Sequence, residues 1–180
     1  MSVRLATVQD VPRILEIYAP YVKNTAISFE YAVPTLEEFT NRFLGITAQF
    51  PWLVWEENGT VLGYAYGSRP FERAAYQWSA EASIYLCPEA CGKGIGKKLY
   101  AALEQLLQRQ GYRKVYAIIS SDNGSSVAFH RAVGYRHTAT MPDCSYKFGK
   151  WYGIVWMEKE LNTWPSPPRD PIPIHKVSQL

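Results

Sequence analysis

Three groups of residues have types and spacings that can do chemistry. The first is "CGKGIGKK", residues 91–98, where Gly92, Gly94 and Gly96 alternate with Lys93, Ile95 and Lys97 just before an amphipathic run. Glycines this dense at a helix start let backbone N–H groups approach a ligand, and those groups together with the helix dipole favour an anion. The second is Glu81, a carboxylate inside "QWSAEASIYLC" among Trp78, Ala80, Ala82 and Ile84. A carboxylate buried there is costly without a task or a partner, and its raised pKa would suit a general base, acting directly or through water. In isolation the same pattern also fits an exposed strand face. The third is His130 in "NGSSVAFHRAVGY". Imidazole titrates near neutrality and can act as acid or base, although a lone helical histidine also serves simply for packing.

Two known phosphate loops can be tested against the glycines. Walker A needs a glycine where Cys91 stands and Ser or Thr where Lys98 stands. The dinucleotide fingerprint, read from Gly92, needs a third glycine where Lys97 stands. Both fail, which leaves a generic phosphate cradle or a structural turn.

The elements that must position these groups follow from periodicity. "VRLA" reads as a first strand. Thr7 and Asp10 form a capping box for a helix whose face is Ile14, Leu15, Ile17 and Tyr18, with Pro20 expected to break or bend it. "KNTAISFEYAVP" has no period and reads as a loop; Thr35 and Glu38 then open a helix expected to end near Gly45. "WLVWEENGTVLGYAYG" is a hairpin around Asn58-Gly59, "RPFERAAY" is a loop, and the strand holding Glu81 stops at Pro88. The glycine turn leads into a helix with Ile95, Leu99, Leu103, Leu106 and Leu107 on one face and Gly111 as its stop. "RKVYAII" is a buried strand, a short helix closes at Gly134, and "YRHTATMP" and "WYGIVWMEKEL" flank "KFGK" as a last hairpin. The order β-α-α-β-β-β-α-β-α-β-β, with a crossover through the glycine helix, predicts an α/β chain with a mixed sheet.

Composition narrows the class. At 180 residues, 47% hydrophobic and 19% charged, the chain can bury the core of one domain. A net charge of +3 with scattered Lys and Arg excludes the basic stripe of a dedicated nucleic-acid binder. No apolar run approaches the roughly 18 residues of a membrane span, and "MSVRLATVQD" lacks a signal-peptide core, so a cytoplasmic chain without a membrane partner is expected. Cys87, Cys91 and Cys144 form no CxxC pair, so no disulfide framework and no metal site is expected. Residues 161–180 differ from the rest: "TWPSPPRDPIPI" holds five of the twelve prolines. This tail, set apart from a domain spanning 1–160, should be extended, either draped on the surface or reaching a neighbouring subunit.

The segments in order resemble the GNAT N-acetyltransferase superfamily. Its pyrophosphate loop maps onto Cys91, Gly92, Lys93, Gly94, Ile95 and Gly96, and its later pattern onto Asn123, Ser126, His130, Gly134 and Tyr135. "PWLV", "RPFERAAYQWSAEASIYL", "KFGKW" and the proline-rich tail are similar to the phosphinothricin and methionine sulfoximine acetyltransferase branch, over nearly the whole chain. The resemblance implies a mixed, mostly antiparallel sheet flanked by helices, with splayed parallel strands at the cofactor site. It implies direct acetyl transfer from acetyl-CoA to a small amino-acid-like amine, without a metal, in a homodimer. Glu81 and His130 then become the catalytic candidates. Ile84, Tyr85 and Leu86 would hold acetyl-CoA through their backbone, with Gly92, Lys93, Gly94, Ile95, Gly96, Lys97 and Asn123. Arg69, Pro70 and Phe71, with Glu81, Ala82 and Ser83, would form the acceptor wall, and Phe29, Glu30, Lys147, Phe148 and Trp151 are weaker candidates. One position departs from the pattern: Cys91 stands where Arg or Gln is usual, so backbone amides and Lys93, Lys97 or Lys98 must carry the phosphates. Two rival readings are an acetyl-CoA-binding regulatory module and a polyamine or peptide acetyltransferase.

Overall fold

The computed structural model describes residues 2–163 and 166–177. Local signals set most elements. After β1 (Ser2–Leu5), the Asp10 carboxylate accepts the Thr7 backbone N–H at 2.8 Å and leads into α1 (Val11–Asn24). Pro20 does not break α1, which runs on to Asn24 with Ile14, Ile17, Tyr18 and Val22 buried. Packing of that face outweighs the one helical hydrogen bond that proline removes. The second box is formed as expected: Thr35 N–H donates to Glu38 at 2.8 Å and Glu38 N–H to the Thr35 hydroxyl at 3.2 Å, opening α2 (Leu36–Thr47). β2 (Trp52–Glu57) and β3 (Thr60–Ser68) turn at Asn58 and Gly59, with φ of 51° and 77°, the paired left-handed residues of a tight hairpin.

Among the described residues the sheet has seven strands, in the order β1-β2-β3-β4-β5-β7-β6. β4 (Ser79–Leu86) pairs antiparallel with β3 along its length, from Gly63↔Leu86 to Ser68↔Glu81. α3 (Ile95–Gln110) buries Ile95, Leu99, Leu103, Leu106 and Leu107 and stops at Gly111. It carries the chain over to β5 (Lys114–Ser120), which pairs with β4 in the one parallel pairing of the sheet among the described residues. That pairing covers just Ser79↔Lys114, Ala80↔Val115 and Glu81↔Tyr116. β5 then follows β7 (Lys150–Glu160) antiparallel and leaves β4. This is the mixed, mostly antiparallel sheet with parting parallel strands that the resemblance implies.

α4 (Gly124–Ala132) follows β5. β6 (Arg136–Lys147) runs through Pro142, further than "YRHTATMP" suggests, and loses register between Met141 and Ser145. An edge strand with a bulge tolerates the missing proline N–H. The tail lies on its own chain. Ile172 N–H donates to Gln110 at 2.8 Å, Ile174 N–H to Gln49 at 3.0 Å, and the Trp78 indole to Arg169 at 2.8 Å. Trp164 and Pro165 of the proline-rich run lie outside the described residues. Among the described residues no helix is long and apolar enough to cross a membrane.

Candidate active site

The parting of β4 from β5 creates the site. Successive residues of a strand turn their backbone groups to alternate edges. Cys87 N–H goes to Leu62 of the β3 side at 2.9 Å, so Tyr85 and Ser83 also face β3, and Ala82, Ile84 and Leu86 face the gap. One of the gap-side carbonyls is taken by a side chain, the Tyr21 hydroxyl donating to Leu86; the Tyr100 hydroxyl lies 3.3 Å from the Ala82 carbonyl. The amide and carbonyl of Ile84 face a cavity where a paired strand would otherwise lie. Of the three residues expected to act through their backbone, Ile84 and Leu86 are so placed and Tyr85 is not. The Tyr85 ring packs edge-on to Tyr18 and Tyr21 of α1, at 5.0 and 5.1 Å.

The three glycines of the turn do different jobs. Gly92 and Gly94 have φ of 74° and 75°, and an added Cβ at either would meet nothing within 4 Å. Glycine is required there by conformation, which turns successive N–H groups toward the α3 N-terminus. Gly96 is required by contact: a Cβ would lie 3.2 Å from the Phe129 ring and 3.4 Å from Ile84. The turn lines a cavity of about 630 Å³ with Tyr21, Ile84, Leu86, Asn123 and Phe129. Lys97 and Cys91 line it too. Lys98 does not; its ammonium lies 5.1 Å over the Trp55 ring. Ile95 packs into the core and also lines the cavity, Lys93 is exposed outside it, and Asn123 caps α4 by accepting the Ser126 N–H at 3.2 Å while lining the cavity.

Glu81 and His130 belong to opposite faces of the sheet. Glu81 shares its face with Ser83 and Tyr85, which packs on α1, whereas Ile84 points to Gly96 of α3. His130 packs on Tyr100 of α3. The two can act on one substrate only through the gap. Glu81 stands at its apex, in the last β4–β5 pair, and burial pushes its carboxyl up to about 7. His130 is 2% exposed. Its Nδ1 lies 2.7 Å from the Ser126 carbonyl, which can only accept, so Nδ1 carries the proton and Nε2 accepts the Tyr100 hydroxyl at 2.9 Å. Burial pulls the His130 pKa down, favouring this neutral form. Both rings line the cavity of about 60 Å³ between the parted strands. Tyr100 was not singled out in the sequence because it falls on the core face of α3; the usable signal was a phenol hydroxyl on an apolar face, which needs a partner.

The acceptor candidates are more dispersed. Ala82 is buried and Ser83 pairs with Tyr66. Phe71 stacks on Trp156 at 5.8 Å and meets Tyr116, the β5 partner of Glu81, edge-on at 5.8 Å, roofing the sheet beside the carboxylate. Pro70 precedes it, half-buried. Arg69 lines a separate cavity of about 90 Å³ with Ser79, Tyr112 and Pro171 of the tail, not the gap. Glu30 pairs with Arg42 at 2.7 Å, Phe29 faces Tyr152 at 6.2 Å, and Phe148 and Trp151 are exposed on the β6–β7 hairpin. The Lys147 ammonium is spent on three carbonyls. A further cavity of about 240 Å³ at the end of β5 is lined by Thr25, Ile27, Ser120, Asp122, Asn123 and Tyr152.

A sheet parted beside a glycine cradle at a helix N-terminus defines a class, and comparison with known proteins gives the family. The acetyltransferase (GNAT) domain matches residues 3–156, and the chain belongs to that family of acetyl-CoA-dependent N-acetyltransferases. It is 30% identical to a phosphinothricin N-acetyltransferase of Streptomyces viridochromogenes, over 100% of this chain and 96% of that protein. It is 36% identical to an L-methionine sulfoximine/L-methionine sulfone acetyltransferase of Pseudomonas paraeruginosa, over 93% of this chain and 98% of that one. Among solved structures it is similar to a phosphinothricin acetyltransferase of Sinorhizobium meliloti in complex with acetyl-CoA, with a TM-score of 0.87, 37% identity, and 92% and 93% of the two chains covered. Acetyl-CoA is the cosubstrate, and the open Ile84 edge and the glycine cradle are groups that fit its pantetheine amides and its pyrophosphate.

Proposed function

We propose that the chain acetylates the amino group of a small amino-acid-like acceptor of the phosphinothricin or methionine sulfoximine type by direct attack on acetyl-CoA. The observation that carries this reading is Glu81 at the apex of the gap, with a carboxyl near neutrality in its titration. The neutral amine attacks the thioester carbonyl, and Glu81 takes the proton that nitrogen sheds as the C–N bond forms. The oxygen that gains charge faces the Ile84 N–H, whose edge is fixed before the reaction begins. The C–S bond then breaks, and the thiolate leaves on the face of Tyr100 and His130. His130 Nε2 holds the one proton of the Tyr100 hydroxyl at rest, and that O–H turns from the imidazole to the sulfur as the thiolate forms. Gly92, Lys93, Gly94, Gly96 and Lys97 anchor the phosphates; Asn123 lines the channel; Phe71 and Ser83 bound the acceptor. Arg69, which lines a separate cavity, takes no part in this reading.

The dimer belongs to this reading. Tyr31, Met141, Tyr146, Phe148 and Trp151 are 46–77% exposed and cluster at the β6–β7 hairpin, an apolar face that a second copy would cover. We place the enzyme in the cytoplasm, with its three cysteines reduced. A thiol-release assay over a panel of amines tests the acceptor class: turnover with methionine sulfoximine or phosphinothricin is expected. Turnover confined to polyamines, or acetyl-CoA binding without thiol release for any amine, would replace it with one of the two rival readings.

A further inference from the structure

Lys147 ends β6 with its side chain turned inward, and the residue is 2% exposed. Its ammonium donates to the carbonyls of Val22 at 2.7 Å, Thr25 at 2.8 Å and Ser28 at 2.6 Å. Three donors meet three acceptors, so nothing is left for a substrate. These carbonyls belong to the C-terminal end of α1 and the start of the connection 25–35, where a helix leaves its carbonyls unpaired and its dipole favours a cation. The connection holds no helix or strand of its own. It has further ties: the Tyr31 hydroxyl donates to Tyr146 at 2.6 Å, the Ser28 and Tyr18 hydroxyls lie 2.6 Å apart, Glu30 pairs with Arg42 at 2.7 Å, and the Thr25 hydroxyl donates to Tyr21 at 2.6 Å. Between Thr25 and Ser28, whose carbonyls Lys147 holds, stands Ile27, which lines the channel along the glycine turn, the cavity between the parted strands, and the cavity at the end of β5.

We propose that Lys147 is a positioning residue: it latches the 25–35 connection to the β6–β7 hairpin and so holds Ile27 at the junction of the acetyl-CoA channel and the acceptor side. It touches neither substrate. A buried cation on one loop thereby fixes the wall that aligns acceptor and thioester, while the phosphate cradle on α3 stands apart from it. The inference rests on the acetyl-transfer reading above, and one of its tests does not.

Lys147→Met and Tyr31→Phe are compared with the parent by steady-state kinetics, direct acetyl-CoA titration and hydrogen exchange over 25–35. Lys147→Met is expected to raise acceptor KM and lower kcat, together by about tenfold or more, because misalignment of reacting groups is costly. Acetyl-CoA affinity should stay within about threefold, since uniform binding at the cradle is untouched. Exchange over 25–35 should rise and exchange over α3 should not. Tyr31→Phe, at an exposed site that cannot unfold the protein, should shift acceptor KM the same way by about twofold to fivefold, the share of one hydrogen bond. Unchanged acceptor kinetics in both variants overturns the proposal, as does an equal loss of acetyl-CoA affinity, which would mark a general fold element. If Lys147→Met does not fold, Tyr31→Phe decides. Exchange over 25–35 reads the latch even if no amine is acetylated: unchanged exchange in both variants overturns the latch, whatever becomes of the acceptor reading.

Discussion

On the proposed reading, the cofactor side of the gap takes most of its groups from one continuous stretch, β4, the glycine turn and the start of α3, and most of these are backbone. The acceptor side is assembled from four places: the connection 25–35, the connection 69–78, β5 and the β6–β7 hairpin. There the groups are side chains joined over long separations, such as Lys147 to Ser28, Tyr31 to Tyr146 and Phe71 to Trp156. Ladder and helix geometry fix the first side whatever the side chains are. The second changes whenever one of a few side chains changes. A transferase built this way can keep its donor while its acceptor drifts, because loops on a rigid scaffold carry the choice.

The sharpest test of the division is Glu81, which belongs to the cofactor strand by sequence and to the acceptor by chemistry. Glu81→Gln should lower kcat by about 100- to 10,000-fold, the range of a positioned base, and leave acetyl-CoA affinity unchanged. Unchanged turnover would remove Glu81 from the mechanism. In the parent, the rate at saturating acceptor should fall as pH drops below about 7, where the carboxylate takes up its proton. Stability runs the other way. A carboxyl raised in the folded state from 4.5 to about 7 favours folding below the unfolded pKa and loses that advantage as pH rises through 7. At pH 8 the glutamine variant should therefore be more stable than the parent, by roughly 2–3 kcal/mol at most, read from denaturant curves. A variant that is slower and no more stable would indicate that the carboxylate has a partner in the folded state.

Two substitutions probe the sides separately. Gly94→Val forces a β-branched residue into a left-handed conformation costing about 1–2 kcal/mol, and acetyl-CoA binding should weaken by about tenfold or more with acceptor KM unmoved. A change in acceptor KM alone would break the division. Tyr100→Phe removes the one hydroxyl shared between His130 and Ala82. A single lost hydrogen bond predicts a kcat about threefold to tenfold lower, with both KM values near the parent's. A loss at least as large as in His130→Ala is expected if His130 acts through Tyr100; no loss at all would return the leaving-group role to His130 itself.

The same division explains what was legible in the sequence. Both capping boxes, the Asn58-Gly59 hairpin, the α3 face and its Gly111 stop depend on neighbours in the chain, and each was readable. The glycine turn was readable as an anion site because its meaning is local. Of the break or bend expected at Pro20, the break does not occur, since packing of Val22 and the reach of Tyr21 override the propensity that marks it. The bulge at Pro142 was hidden because only an edge position makes it tolerable, and edge position is a property of the whole sheet. Where β4 and β5 part has no local signature: Ala82 and Ile84 look like any buried strand until β5 turns to β7. Lys147 and Arg69 are the same problem in side chains. A lysine near a turn and an arginine after a strand give no hint that one is fully spent on carbonyls and the other opens onto a separate cavity.

The smallest effect bears on the one residue that departs from the loop pattern. Cys91 has φ −67° and ψ 147°, an extended conformation any residue accepts, and it is exposed beside the channel. Its thiol donates to the Cys87 carbonyl at 3.6 Å. If backbone amides already satisfy the phosphates, an added charge acts only as an exposed ion pair, worth about 0–1 kcal/mol. Cys91→Arg should therefore lower the KM for acetyl-CoA by no more than about fivefold, with kcat and acceptor KM unchanged. The gain should fade as salt is raised toward about 1 M, where screening acts within about 3 Å. A gain far above fivefold that survives salt would mean the cradle is incomplete without a side chain at 91. The backbone would then have lost its claim to hold the donor alone.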